Sequence, residues 1–62
     1  MGSTFSTIYG ETPHGGTKLV ICFFDENMLS CSEKQAKYCR IIEYDKNDNR
    51  ILDVYGIMKN NL

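Results

Sequence analysis

Three cysteines, Cys22, Cys31 and Cys39, and one histidine, His14, are the residues of this 62-residue chain with the most obvious capacity for nucleophilic or metal chemistry. Three thiols cannot close a complete set of intramolecular disulfides. Cys31 and Cys39 lie eight residues apart, and no CxxC or CxxH spacing occurs. A zinc site would need Cys31, Cys39, His14 and a carboxylate to converge from distant positions. A thiol nucleophile needs a base beside it, and His14 sits in a Gly/Pro-rich stretch far along the chain from Cys31 and Cys39. Cys22 lies inside an apolar run and reads as a small buried hydrophobe. The expectation is therefore ordinary reduced thiols, no catalytic residue, no metal, no cofactor and no enzymatic activity. Reduced thiols point to a cytoplasmic location.

Two other segments begin like known ligand loops and then fail. Asp45, Asn47 and Asn49 match the opening of a calcium loop. The position that needs glycine holds Arg50, and the position that needs a bidentate glutamate holds Gly56. Pro13-His14-Gly15-Gly16-Thr17-Lys18 has the glycines of a phosphate cradle, but a Walker loop leads into a helix and an apolar, strand-like run follows here. Glu43, Asp45 and Asp53 read as solvated strand positions rather than as a catalytic carboxylate pair.

The remaining constellation is a surface. In an extended segment Tyr38, Arg40, Ile42 and Tyr44 share one face, and Tyr55 on a following strand is placed to join them. Aromatics and arginine on a sheet can stack single-stranded bases. The same residue types are enriched at protein–protein hot spots. Net charge is −1, with seven basic and eight acidic residues interspersed. That balance disfavours nucleic acid, which asks for a basic footprint. The reading is a binding surface of Tyr38, Arg40, Tyr44 and Tyr55 for a protein partner, with a single-stranded nucleic-acid module as the alternative. Phe5, Thr7 and Tyr9 form a second candidate, an edge free of lysine and inward charge that could pair with a strand of its own copy, giving a homodimer, or of another protein.

The elements that position these residues follow from local pattern. Lys18-Leu19-Val20-Ile21-Cys22-Phe23-Phe24 is apolar on both faces beyond its first residue and predicts a central strand. Thr4–Tyr9, with β-branched and aromatic residues, predicts a short edge strand. Gly10–Thr17 predicts a loop. Tyr38–Asp45 and Arg50–Met58 flank a polar stretch and predict a hairpin, with Gly56 marking a bulge or a close approach. Met28–Lys37 is the one helical candidate, with Ser32 and Gln35 spaced as a capping box, or Ser30 and Glu33 as the alternative. Its packing face would be Met28, Leu29, Ala36 and Cys39. No internal repeat stands out.

The expected fold class is therefore α+β: a small antiparallel sheet of about four strands in β-β-α-β-β order, with one short helix packed on one face. Sixty-two residues make a single domain, with residues 1–3 and 59–62 frayed. No stretch approaches the ~18 apolar residues of a membrane helix, and the N-terminus lacks the pattern of a secretory signal. Met1-Gly2-Ser3-Thr4-Phe5-Ser6 does fit the myristoylation pattern, without the second signal that stable membrane anchoring requires. Small chains with no catalytic constellation are often regulators or inhibitors of larger proteins, including those encoded by phages and mobile elements. That is the function expected here.

Overall fold

The computed structural model describes residues 3–58. The myristoylation pattern begins at Met1 and Gly2, which lie outside the described residues, as does the tail 59–62. Four strands follow one another: β1 Phe5–Tyr9, β2 Lys18–Phe24, β3 Tyr38–Tyr44 and β4 Arg50–Ile57. They form one sheet in sequential order with every neighbour antiparallel. The apolar run of β2 and the alternating β3 are its two inner strands, as hydrophobic, β-branched segments should be.

The predicted helix is absent, and with it the β-β-α-β-β order. Met28–Lys37 contributes only a single 3₁₀ turn, Glu33–Gln35. Ser32 precedes it, but its side chain makes no cap bond, and Ala36 is already extended. So short a helix cannot hold without packing along its length. Met28 and Leu29, the apolar residues meant to supply that packing, are exposed. Ala36 and Cys39 are buried, under a turn rather than a helix.

What replaces the helix is a second copy of the β3–β4 turn. At Asp45 the side-chain Oδ1 accepts the N–H of Asn47 and of Asn49, each at 2.9 Å. The Asp45 N–H donates to the Asn49 carbonyl, and Asp48 donates to the Asp45 carbonyl. Asp25 does the same: its Oδ1 accepts from Asn27 at 2.8 Å and Leu29 at 3.0 Å, with the matching backbone bonds between Asp25, Met28 and Leu29. The fourth residue of each turn is left-handed, Met28 and Asp48 both at φ 63°. An Asp-x-Asn pair after an aromatic residue thus builds one turn twice, twenty positions apart. The sequence similarity is confined to a few positions, which hid it. Ser30 then bridges back to Phe24, on the side of β2 that β1 occupies further along.

The two faces of the sheet differ. Registers place Leu19, Ile21 and Phe23 with Cys39, Ile41, Glu43, Leu52, Val54 and Gly56 on the first face. The connections 10–17 and 32–36 fold over its two ends, burying Glu43 and Gly16 under one and Phe23, Cys39 and Ala36 under the other. Gly56 lies 3.4 Å, measured to an added Cβ, from Cys39 Sγ. The register irregularity falls elsewhere, at Glu43/Tyr44, where Ile51 is the extra residue of β4. The second face carries Lys18, Val20, Cys22 and Phe24 together with Phe5, Thr7, Tyr9, Tyr38, Arg40, Ile42, Tyr44, Asp53, Tyr55 and Ile57.

Candidate functional site

Two constellations of polar side chains stand out, one on each face. On the first face, Glu43 is fully buried. It is not the solvated residue its sequence context suggests. Its Oε2 accepts the Thr12 hydroxyl, the His14 N–H at 2.8 Å and the Gly16 N–H at 3.3 Å. Its Oε1 lies 2.8 Å from His14 Nδ1. Burial pushes the Glu43 carboxyl up, but the donors from Thr12, His14 and Gly16 outweigh it and hold the group at about 2. The carboxylate is therefore ionised and can only accept, so His14 Nδ1 carries the proton.

The loop is built to deliver those donors. Gly15 takes φ +82°, which a side chain would resist. At Gly16 an added Cβ would stand 2.5 Å from the Tyr44 carbonyl oxygen and 2.6 Å from Thr12 Oγ1, so only glycine fits. Chemically, the cluster ties a loop down. The Thr12 hydroxyl is bound to the carboxylate rather than to the imidazole, so it is not aligned as a nucleophile for His14 to activate. An open cleft of about 460 Å³ lies at the other end of the face, lined by Phe5, Ser6, Phe23, Ser32 and Glu33 among others. Sequence reasoning missed Glu43, although its strand position carries a weak signal. Glu43 alternates with Cys39 and Ile41 on a central strand, where an acid must find donors, and a Gly-Gly loop offers free N–H groups.

Tyr38, Arg40, Tyr44 and Tyr55 share the second face: Arg40 is directly opposite Tyr55, while Tyr38 and Tyr44 stand at the two ends of β3. Phe5, Tyr9 and Phe24 share that face, so it holds all the aromatic residues of the chain except Phe23. Arg40 grips Asp53 in a fork, Nε to Oδ1 at 2.8 Å and Nη2 to Oδ2 at 2.5 Å. Asp53 is thus a structural partner and not merely a solvated strand residue. Its hydrogen bond from Arg40 holds its carboxyl below the usual range, and the same bond raises Arg40. The Arg40 guanidinium also lies 5.7 Å from the Tyr55 ring centre, and Phe24 and Tyr55 pack tilted at 6.4 Å. Lys18 sits over Tyr44 at 4.8 Å and pairs with Asp48 at 3.2 Å. Arg50 reaches Asp53 at 3.4 Å. Each described cation of this face therefore already has a carboxylate.

β1 is an outer strand of the sheet. Its residues Phe5, Thr7 and Tyr9 point to the aromatic face, with Phe5 56% and Tyr9 78% exposed. The three cysteines are free. Among the described residues, no group of three or more His, Cys, Asp or Glu side chains is placed to hold a metal ion, and no helix is long and apolar enough to cross a membrane. No protein-family model, curated protein or solved structure matches the chain.

Proposed function

We propose that this chain is a small protein-binding module, a regulator or inhibitor of a larger protein, that acts by contact and not by catalysis. One observation carries the reading: the aromatic residues are gathered on the sheet face that neither connection folds over, beside an uncharged open edge. Aromatic side chains bring large contact area at low entropic cost, and arginine stacked on tyrosine is a common anchor of protein interfaces. On this face the cations Lys18, Arg40 and Arg50 are each already paired with a carboxylate and are not free for a phosphate backbone. A protein partner therefore suits this face better than a nucleic acid.

The test is affinity capture on the immobilised full chain, in low and high salt, with wild type and Tyr55→Ser compared. Tyr55 is 62% exposed and its loss removes contact surface without opening a core. The expected result is a protein retained in high salt by wild type and lost by the variant. Captured nucleic acid that elutes as salt rises would contradict the reading.

A further inference from the structure

The backbone of β1 shows which of its hydrogen-bonding groups are unused. The Phe23 N–H donates to the Thr4 carbonyl at one end of the β1–β2 ladder, and the Gly10 N–H donates to the Thr17 carbonyl at the other. Antiparallel ladders alternate, so between these ends Ser6 and Ile8 turn their N–H and C=O groups toward β2, as do the Thr4 carbonyl and the Gly10 N–H. Phe5, Thr7 and Tyr9 turn theirs outward.

We propose that this outward row pairs with the same row of a second copy, antiparallel and centred on Thr7, to join two four-stranded sheets into one of eight. The proposal rests on reading β1 as an open pairing edge. The sequence Phe5-Ser6-Thr7-Ile8-Tyr9 is self-complementary in that register. Thr7 meets Thr7, Phe5 of each copy meets Tyr9 of the other, and Ser6 meets Ile8. Each outward residue then donates one backbone bond and accepts one. The Phe5–Tyr9 pairs fall on the aromatic face, where cross-strand aromatic pairs add stability. No charged residue lies in β1, so no like charges meet at the two-fold axis.

The other edge is a poorer candidate. On β4 the Met58 N–H donates to the Lys37 carbonyl, which by the same alternation leaves Asp53, Tyr55 and Ile57 outward. Centred on Tyr55, that register sets the Asp53 carboxylate, held by Arg40, against Ile57. Pairing of β1 with β4 of another copy would not close and would grow into fibres. Five residues a side make a small contact beside the roughly 1,200–2,000 Å² of stable interfaces, so the dimer is reversible and concentration-dependent.

The experiment is sedimentation of the full chain across a wide range of concentration, for wild type, Thr7→Pro and Thr7→Lys. Near-UV circular dichroism checks that each is folded. The Thr7 N–H makes no bond to β2, so proline there leaves the internal ladder intact and removes the central bonds between copies. Lysine at Thr7 sets two like charges face to face at the axis. Doubling of the wild-type mass with concentration, and folded monomers for both variants, is the expected result. Wild type that stays a monomer at every concentration would overturn the second copy as occupant, and leave the edge to a foreign strand. A dimer of unchanged strength in both variants would overturn the edge itself.

Discussion

Glu43 is the residue on which the first face turns. Its unfolded carboxyl titrates near the ordinary 4.5, and its folded carboxyl is depressed to about 2. The stability it contributes is therefore fully present above about pH 4.5 and is lost as pH falls toward 2. Denaturant midpoints of the wild type should drop across that window. Glu43→Gln should be less stable at pH 7 and should lose much of the acid slope, and an unaltered slope would show that other carboxylates dominate. Met28 gives a prediction of opposite sign. Held at φ 63°, it pays the left-handed penalty of about 1–2 kcal/mol that glycine avoids. Met28→Gly should raise the melting temperature, and Asp48→Gly should raise it less, because aspartate tolerates that conformation better. These residue-level roles were only half legible. The Asp-x-Asn spacing announced turns, and Asp45–Asn49 does close the β3–β4 hairpin. The burial of Glu43 had only its alternation with Cys39 and Ile41 to announce it, because its donors lie about thirty positions away.

The strands were legible because their signals are local: β-branched and aromatic runs bounded by Gly, Pro, Asp and Asn. The placement of the four segments, the Asp45–Asn49 hairpin and the sharing of one face by Tyr38, Arg40 and Tyr44 all follow from period-two alternation. The helix failed because a capping pattern is a permissive signal, whereas the packing that sustains a short helix is tertiary. Instead Asp25–Leu29 repeats a turn, which takes up the first two residues of the segment, and Ser32–Ala36 is laid over Phe23 and Cys39. Two substitutions test this arrangement of covers. Phe23 is 5% exposed, and Phe23→Ala should cost about 3–5 kcal/mol. That is the whole stability expected of so small a core, so the variant should be largely unfolded by circular dichroism. Gly16→Ala drives a methyl group into backbone and should cost about 1–3 kcal/mol in a denaturation series, while Gly15→Ala, which meets nothing within 4 Å but keeps its positive φ, should cost less.

At the scale of the molecule, one layer of sheet has two faces and two edges to satisfy. The connections cover the ends of one face, and the other is left to its own aromatic side chains and their ion pairs. Arg40 is bound to Asp53, so Arg40→Glu would set two acids together and disturb the fold as well as any contact. Tyr55→Ser is the cleaner probe of the surface. Tyr55→Ser should leave the free energy of unfolding within about 0.5 kcal/mol of wild type, as exposed positions do. The most direct measurement is residue-resolved amide hydrogen exchange on the full chain, alone and at rising concentration or with a captured partner. The account predicts that binding protects Phe5, Thr7 and Tyr9 or residues of the aromatic face around Tyr55, with Ser6 and Ile8 already protected in the free monomer. New protection confined to the loop around Glu43, or to the Ser32–Ala36 cover, would contradict it.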